Sequence, residues 1–494
     1  MATLLRRLTI LRIHSSRPLH QASLNQSGCN HELEINIQTE IPGPKSTKLR
    51  NELLECQQVS TVSFVSDVQK SLGNYIVDVD SNTYLDCFMQ IASLPLGYNS
   101  PDLIKALSSP ENIHQLVNRP AMGWFPNEEW IRYVTNVFMA MAPPGLEQIY
   151  PMMCGTCSNE NALKIAFMKY MDKQRGGRLD FTEEELQSVM THSAPGSPNL
   201  SILSFKGGFH GRTVGLLSVS NSRALHGIDI PTLKWPKADF PRYKYPLGEN
   251  QDINRAEDLR CLEILEDTIR EQNTKTDAPV AGMIVEPIQA EGGDFHGSKF
   301  FFQGVDRIAH KYDISLIIDE VQTGGGSTGK MWCHEHFELE HGPDIVTFSK
   351  KMLSGGIYHK KTHRPQHAGR ILNTWLGDPH KVIMLSEVWK YIQTQNTLAL
   401  VDESGKVLLS GLMELEKRFP GHLSSSRGLG TFCAVDCPKV EMRDEIVGRM
   451  LKKGVLIGAC GEATIRFRPC LIFEPKHAAH MLEKMGEVLL EMTS

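Results

Sequence analysis

No uninterrupted apolar run in the 494 residues approaches the ~20 that a membrane-spanning helix requires. Nor is there an excess of positive charge. Lys and Arg number 52 against 57 Asp and Glu, a formal net charge of −5, which argues against an electrostatic nucleic-acid binder. Internal repeats and low-complexity tracts are missing, so nothing points to a repeat architecture. The cysteines number 11, an odd count in a chain long enough to bury a core without staples, which argues against a secreted disulfide framework. What remains is ordinary globular composition, 41% apolar and 22% charged, in a length that at about 150 residues per domain suggests roughly three domain-sized units.

One absence is local. The first acidic residue is Glu32. Before it stand Arg6, Arg7, Arg12 and Arg17 and several serines, with Leu4, Leu5, Leu8, Ile10, Leu11 and Ile13 interrupted by arginine. An Arg-rich, Ser-rich, acid-free stretch predicts a mitochondrial transit peptide over residues 1–31, and hence a matrix protein, rather than a secretory signal. The alternative is a basic N-terminus with no address. Without those arginines the formal charge of the rest falls from −5 to −9.

Residues 74–88 hold two β-type runs around Asp80-Ser81-Asn82 and read as a hairpin. From about 150 to 350 short continuous apolar runs recur at 201–205, 280–287, 314–320 and 344–350, spaced by stretches long enough for crossover helices. Continuous runs fit strands buried on both faces of a mostly parallel sheet, so the fold class is α/β. After about 385 a helix is expected over 404–419, β-like runs at 431–435, 454–459 and 465–473, and a last helix over 475–493. There Met481, Leu482, Met485, Val488, Leu489 and Met492 share one face and read as core. This C-terminal part looks like a smaller α+β domain. Residues 176–200 and 246–254 read as loops.

Open α/β sheets bind ligands at the carboxyl ends of their strands. Those ends carry Phe209-His210-Gly211-Arg212, Glu286 with Glu291, Asp319-Glu320 with Gln322, and Ser349-Lys350-Lys351. Each alone has a bland reading as a cap, a solvated charge or an ion pair, but together they gather an aromatic ring, an arginine, carboxylates and a lysine at one edge. Gly324, Gly326 and Gly329 match a dinucleotide fingerprint, but residues intervene after the strand, so a flexible loop is expected. Gly324–Lys330 also begins a P-loop pattern that fails because Met331 stands where Ser or Thr is needed. A better phosphate site is Cys154-Gly155-Thr156-Cys157-Ser158-Asn159-Glu160 at a helix start, unless Ser158 or Asn159 simply caps that helix. Cys154 and Cys157 form a C-x-x-C pair that could be redox-active, metal-binding or merely buried. His334, His336 and His341 lack the H-E-x-x-H spacing and read as solvated or capping residues.

Seven ordered motifs carry a resemblance: CGTCSNENALK (154–164), FHGRT (209–213), VEPIQAEGGD (285–294), DEVQTGGG (319–326), TFSKKM (347–352), NTWLGD (373–378) and IRFRP (465–469). Together they resemble the fold-type I, class III pyridoxal-phosphate aminotransferases, over the chain from about residue 35 to its end. CGTCSNENA and NTWLGD favour the branch of that class acting on 4-aminobutyrate over the ornithine branch. With the transit peptide at 1–31 set aside, the resemblance implies an N-terminal segment at 32–95 belonging to a small domain, a large cofactor domain at 96–384 and a C-terminal small domain at 385–494. It implies that Lys350 carries the cofactor covalently and moves the proton. Asp319 then pairs with the ring nitrogen, Gln322 bonds the ring oxygen, Phe209 stacks on the ring, and Gly155 and Thr156 hold the phosphate through backbone N–H groups. By the same resemblance Thr374 would reach the phosphate of the other subunit, making the active unit a homodimer. Arg212 would bind the carboxylate of 4-aminobutyrate and Arg466 the α-carboxylate of 2-oxoglutarate. Glu291 would mask Arg466 while the amine substrate is bound. Glu286 would support the cofactor and Ile91 would line the pocket. Cys154 and Cys157, doubled across a twofold axis, would ligate a [2Fe–2S] cluster shared by two subunits. Two departures stand out: Thr156 where the vertebrate enzymes have Ser, and Phe88 where a Tyr is usual. Alternatives are another ω-aminotransferase, acting on β-alanine, 3-amino-2-methylpropanoate or ornithine, and an iron–sulfur redox or regulatory protein on a transaminase scaffold.

Overall fold

The computed structural model describes residues 32–118 and 121–493; the arginine-rich stretch read as a transit peptide lies outside the described residues. The unbroken apolar runs become central strands. Ser201–Phe205, Val280–Val285 and Ser315–Glu320 are buried at every position, as strands covered on both faces must be. The seven-stranded sheet runs Gln148–Met152, Gly355–His359, Ile345–Phe348, Ser315–Glu320, Val280–Val285, Ser201–Phe205, Lys237–Ala238. Neighbours are parallel except at Gly355–His359, which is antiparallel to both of its partners. In register, Asp319 faces Thr347 and Val285 faces Ile318. The ends of three adjacent strands are therefore level, and Glu286, Asp319 and the Ser349-Lys350 turn leave the sheet along one edge.

The helix Gly155–Gln174 follows the first of these strands and packs back on the sheet through Ala162, Leu163, Ile165 and Ala166, all buried. Its contact is close: a Cβ on Gly282 would sit 3.1 Å from the Ala166 Cβ. Helices Gln251–Lys275 and Lys299–Lys311 supply further crossovers.

A second core lies under an antiparallel sheet of Ser424–Leu429, Phe432–Asp436, Thr464–Phe467 and Gly458–Cys460. Thr397–Arg418 and Pro475–Thr493 cover it, and Met481, Met485, Val488 and Leu489 are buried there, with Leu482 and Met492 packed at its margin. The hairpin of Tyr75–Val77 and Thr83–Asp86 gains a parallel third strand from Val455–Leu456, which joins the two ends of the chain in one sheet.

Four local expectations are corrected. Residues 183–189 form a helix, because Thr182 and Glu185 make a reciprocal capping box. Residues 247–249 form a 3₁₀ turn, and the helix Gln251–Lys275 starts directly after it. The Gly324–Gly329 run is no flexible loop but buried tight turns: Gly325 and Gly326 have φ of +83° and +99°, and a Cβ on Gly324 would lie 2.8 Å from the Trp332 ring. His334 is buried rather than solvated, with its Nδ1 2.8 Å from Glu320 Oε1.

Met485→Ala removes a fully buried side chain from the second core and is expected to cost about 2–5 kcal/mol of stability. A denaturant titration of the purified protein measures it, and a cost below about 1 kcal/mol would contradict this packing.

Candidate active site

A carboxylate buried without partners is too costly to keep ionised, so the neighbours of Asp319 decide its role. It is 4% exposed. Its Oδ2 accepts from Asn159 Nδ2 at 2.7 Å and lies 2.8 Å from His210 Nδ1, while its Oδ1 accepts from the Val321 N–H at 2.9 Å. Asn159 is itself fixed: its Oδ1 accepts from Thr347 Oγ1 at 2.6 Å, and its Nδ2 also donates to the His210 carbonyl at 2.8 Å. The carboxylate is thus held rigidly at a strand end, with lone-pair capacity left on Oδ1 for one more donor. Asn159 does not cap its helix, and neither does Ser158, whose hydroxyl donates to the Cys154 carbonyl at 2.9 Å.

That helix starts at Gly155 with no side-chain cap and no acid in its first turn. Its leading N–H groups and the positive end of its dipole remain available to an anion. Gly155 is required there, since a Cβ would come 2.4 Å from Val321 Cγ1. The Thr156 hydroxyl lies beside Gly211, where a Cβ would stand 2.9 Å from it.

TFSKKM offers two adjacent lysines, and the fold separates them. Lys351 is 1% exposed, with its Nζ donating to the Pro469 carbonyl at 2.6 Å. Lys350 is only partly buried and holds φ +48°, a strained left-handed conformation for a non-glycine residue. Burial, with the Arg466 and Arg468 guanidinium charges, lowers its amine to about 7, opposed by Glu291 and Asp319. Glu286 moves the other way: burial and the Asp319 charge push its carboxyl well above the usual range. The N–H groups of Phe209, at 2.8 Å, and Ala290, at 3.3 Å, bond its two oxygens.

Two arginines face this edge. Arg466 is 4% exposed and pairs with Glu291 through Nη2–Oε2 at 2.9 Å, while its Nε and Nη1 are buried without hydrogen-bond partners. Phe88 lies beneath its guanidinium, 5.6 Å from ring centre to Cζ. Arg212 is exposed, stands 5.7 Å from the Phe209 ring centre and reaches His226 Nε2 at 3.0 Å. Gln322 Oε1 accepts from Arg468 Nε at 2.7 Å. Arg468 is anchored in turn by Asp294 and by the Phe432 ring.

Ile91 lies on a turn in which Met89, Gln90, Ile91 and Ala92 all have positive φ, from +46° to +63°. L-residues resist this left-handed winding. Asp86 restrains it by accepting the Phe88 and Met89 N–H groups at 2.8 and 2.7 Å and the Tyr98 hydroxyl at 2.7 Å. Ile91 is left 53% exposed. Thr374 is exposed, on the turn that follows Asn373. Cys154 is exposed at the helix start, and Cys157 Sγ accepts from Asn373 Nδ2 at 3.4 Å. Among the described residues no cluster of three or more His, Cys, Asp or Glu is arranged to hold a metal ion. Asn159, His210, Arg223, His226 and Arg468 received no role from sequence. His210 and Arg468 stand inside quoted motifs, and Asn159 inside the cradle, so motif membership was the only available signal; Arg223 and His226 have none.

The family model described as Aminotransferase class-III matches residues 56–489. The chain belongs to the class III aminotransferases. Pyridoxal 5′-phosphate is therefore its cofactor, and the residues present fit it: an uncapped helix start for the phosphate, a fixed buried carboxylate for the ring nitrogen and a lysine of lowered basicity. This class III aminotransferase is 45% identical over 485 residues to the mitochondrial 4-aminobutyrate aminotransferase of Homo sapiens, covering 97% of each chain. It is 46% identical over 456 residues to the 4-aminobutyrate aminotransferase of Dictyostelium discoideum, covering 92% of this chain and 91% of the relative. Among solved structures, a lysine aminotransferase from M. tuberculosis superposes with TM-score 0.80 at 26% identity, covering 91% of this chain and all of its own.

With Lys350 as the expected cofactor lysine, the rate at which cofactor-free enzyme takes up pyridoxal phosphate should rise with pH through a midpoint near 7 and then level, because only the unprotonated amine is nucleophilic. Stopped-flow absorbance measures this; a midpoint above about 9, in the direction of an ordinary lysine, would contradict the buried cationic surroundings.

Proposed function

We propose that this enzyme transfers the amino group of 4-aminobutyrate to 2-oxoglutarate, giving succinate semialdehyde and glutamate in two half-reactions. One observation carries the choice of substrates: a buried arginine, Arg466, is masked by Glu291, while a second arginine, Arg212, stands open. The amine substrate has one carboxylate and the oxo acid has two. A site serving both in turn needs one permanent anion handle and one that can be uncovered. The names of the human and Dictyostelium relatives support the same reading.

Pyridoxal phosphate, when bound, supplies the electron sink that lets the C–H proton leave. Gly155 and Thr156 would hold its phosphate through backbone N–H groups, and Phe209 would pack against its ring. Asp319, fixed by Asn159 and His210, keeps a proton on the ring nitrogen. Gln322, held by Arg468, donates to the ring oxygen. Lys350 anchors the cofactor and carries the proton on Nζ, a task suited to an amine near 7 because it can both take and return it. Glu286 braces the Phe209 backbone. Arg212 grips the carboxylate distal to the reacting carbon in either substrate. Arg466 grips the α-carboxylate of the oxo acid once Glu291 leaves it, through a bidentate fork that lysine could not offer. Ile91 walls the pocket.

The active unit is a homodimer in this reading, with Thr374 of one protomer reaching the phosphate site of its partner. Trp124 and Phe125, 69% and 75% exposed, supply the kind of apolar surface that a subunit interface covers. The cysteine pair fits a [2Fe–2S] cluster only across such a dimer, two thiolates from each chain. Burial pushes the Cys157 thiol up, and the N–H···S bond from Asn373 opposes that rise. In this reading the chain works in the mitochondrial matrix; the names of the pig, human and mouse relatives, each called mitochondrial, support the organelle.

Purified wild type should show the visible band of bound cofactor, and Lys350→Ala should lose both the band and turnover. Across amines paired with 2-oxoglutarate, kcat/KM should be highest for 4-aminobutyrate and about 100-fold lower for ornithine, a loss of about 2.7 kcal/mol in the transition state. Preference for β-alanine or ornithine would transfer the enzyme to another branch of the class. Replacing Cys154 and Cys157 together by Ser should remove iron and acid-labile sulfide from the dimer; retained iron would refute the cluster assignment.

A further inference from the structure

Glu291 touches two arginines. Its Oε2 meets Arg466 Nη2 at 2.9 Å, and its Oε1 meets Arg223 Nε at 3.3 Å. The two differ in setting. The Arg466 side chain is 5% exposed, whereas that of Arg223 is 39% exposed and leads into the short turn Ala224–His226. The far end of that turn holds Arg212, through His226 Nε2 at 3.0 Å. Four consecutive residues thus tie the masked anion handle to the open one.

We propose that Arg223 is the second seat of Glu291: the positioning residue that receives its carboxylate when a 2-oxo dicarboxylate claims Arg466. This deepens the reading of Arg466 and Glu291 given above and rests on it. The physical need is plain. Glu291 is itself largely buried, its side chain 17% exposed, so a carboxylate expelled from Arg466 with no new partner would lose most of its solvation as well as its counter-ion. Arg223 already holds the other oxygen, so opening means breaking one contact and strengthening one that exists. The vacated Nη2 then joins Nε and Nη1, which already lack partners, in a guanidinium edge ready for the α-carboxylate. Two arginines and Glu291 leave one positive charge, which the incoming α-carboxylate matches. Arg223 therefore governs the half-reaction that needs the mask removed, and not the one that runs with the mask in place.

The aminated form of the enzyme offers a test, because it can react with either of two acceptors. 2-Oxoglutarate requires Arg466 to be uncovered; succinate semialdehyde, with a single carboxylate for Arg212, does not. Single-turnover absorbance of the holoenzyme gives kcat/KM for each. In Arg223→Met the ratio of 2-oxoglutarate to succinate semialdehyde should fall about tenfold, mostly through a weaker apparent affinity for 2-oxoglutarate, and Arg223→Lys should recover much of it. An equal fall for both acceptors would mean a merely structural role. An unchanged ratio, or one that rises because Arg223 holds Glu291 closed, would also overturn the proposal. Failure of the parent reading would appear separately, as wild type that does not pass amino groups from 4-aminobutyrate to 2-oxoglutarate.

Discussion

The rest of the site is arranged around the buried Asp319 carboxylate. A negative charge at a strand end, 4% exposed, is tolerable only because Asn159, His210 and the Val321 N–H approach it within 2.9 Å. Those partners come from three different elements: the phosphate-cradle helix, the FHGRT loop and the strand's own turn. Fixing the charge therefore fixes the cradle and the aromatic loop relative to the sheet. The same charge contributes to raising the Glu286 carboxyl beside it and opposes the fall of the Lys350 amine. Burial sets the protonation pattern of the site, and this carboxylate modifies it.

Backbone strain is stored in the turns beside this centre. Lys350 and the Met89–Ala92 turn occupy left-handed conformations, each held by surrounding structure, the latter by the Asp86 carboxylate. In the proposed reading the two anion handles divide labour by burial. Arg212 is open to solvent and suits a contact common to both substrates. Arg466, buried and masked by Glu291, suits a contact made in only one half-reaction. Selectivity between a monocarboxylate and a dicarboxylate then rests on a competition between carboxylates for one guanidinium.

Much of the fold was legible because the central strands are continuous apolar runs with their polar groups at one end. Ser201–Phe205 and Ser315–Glu320 match the sequence reading closely. The antiparallel Gly355–His359 strand was not legible, since its glycines and histidine give no apolar run. The helix at 183–189 was readable in retrospect from its capping box, but its polar composition resembled a loop. Of the site, residues inside motifs could be named. Asn159, His210 and Arg468 act by holding other polar side chains, and a single sequence does not say which buried polar groups face each other. Arg223 and His226 lie in a segment with no periodicity and meet Glu291 and Arg212 only through the folded path of the chain.

The central claim is that the fixed Asp319 charge makes the cofactor ring an electron sink. It is tested most directly by following the amine half-reaction of Asp319→Asn in stopped flow, with 4-aminobutyrate in excess and cofactor occupancy verified by absorbance. The account predicts a fall of at least about 100-fold in the rate of the amine half-reaction, with pyridoxal phosphate still bound through Lys350. A fully loaded Asp319→Asn enzyme reacting at the wild-type rate would contradict it.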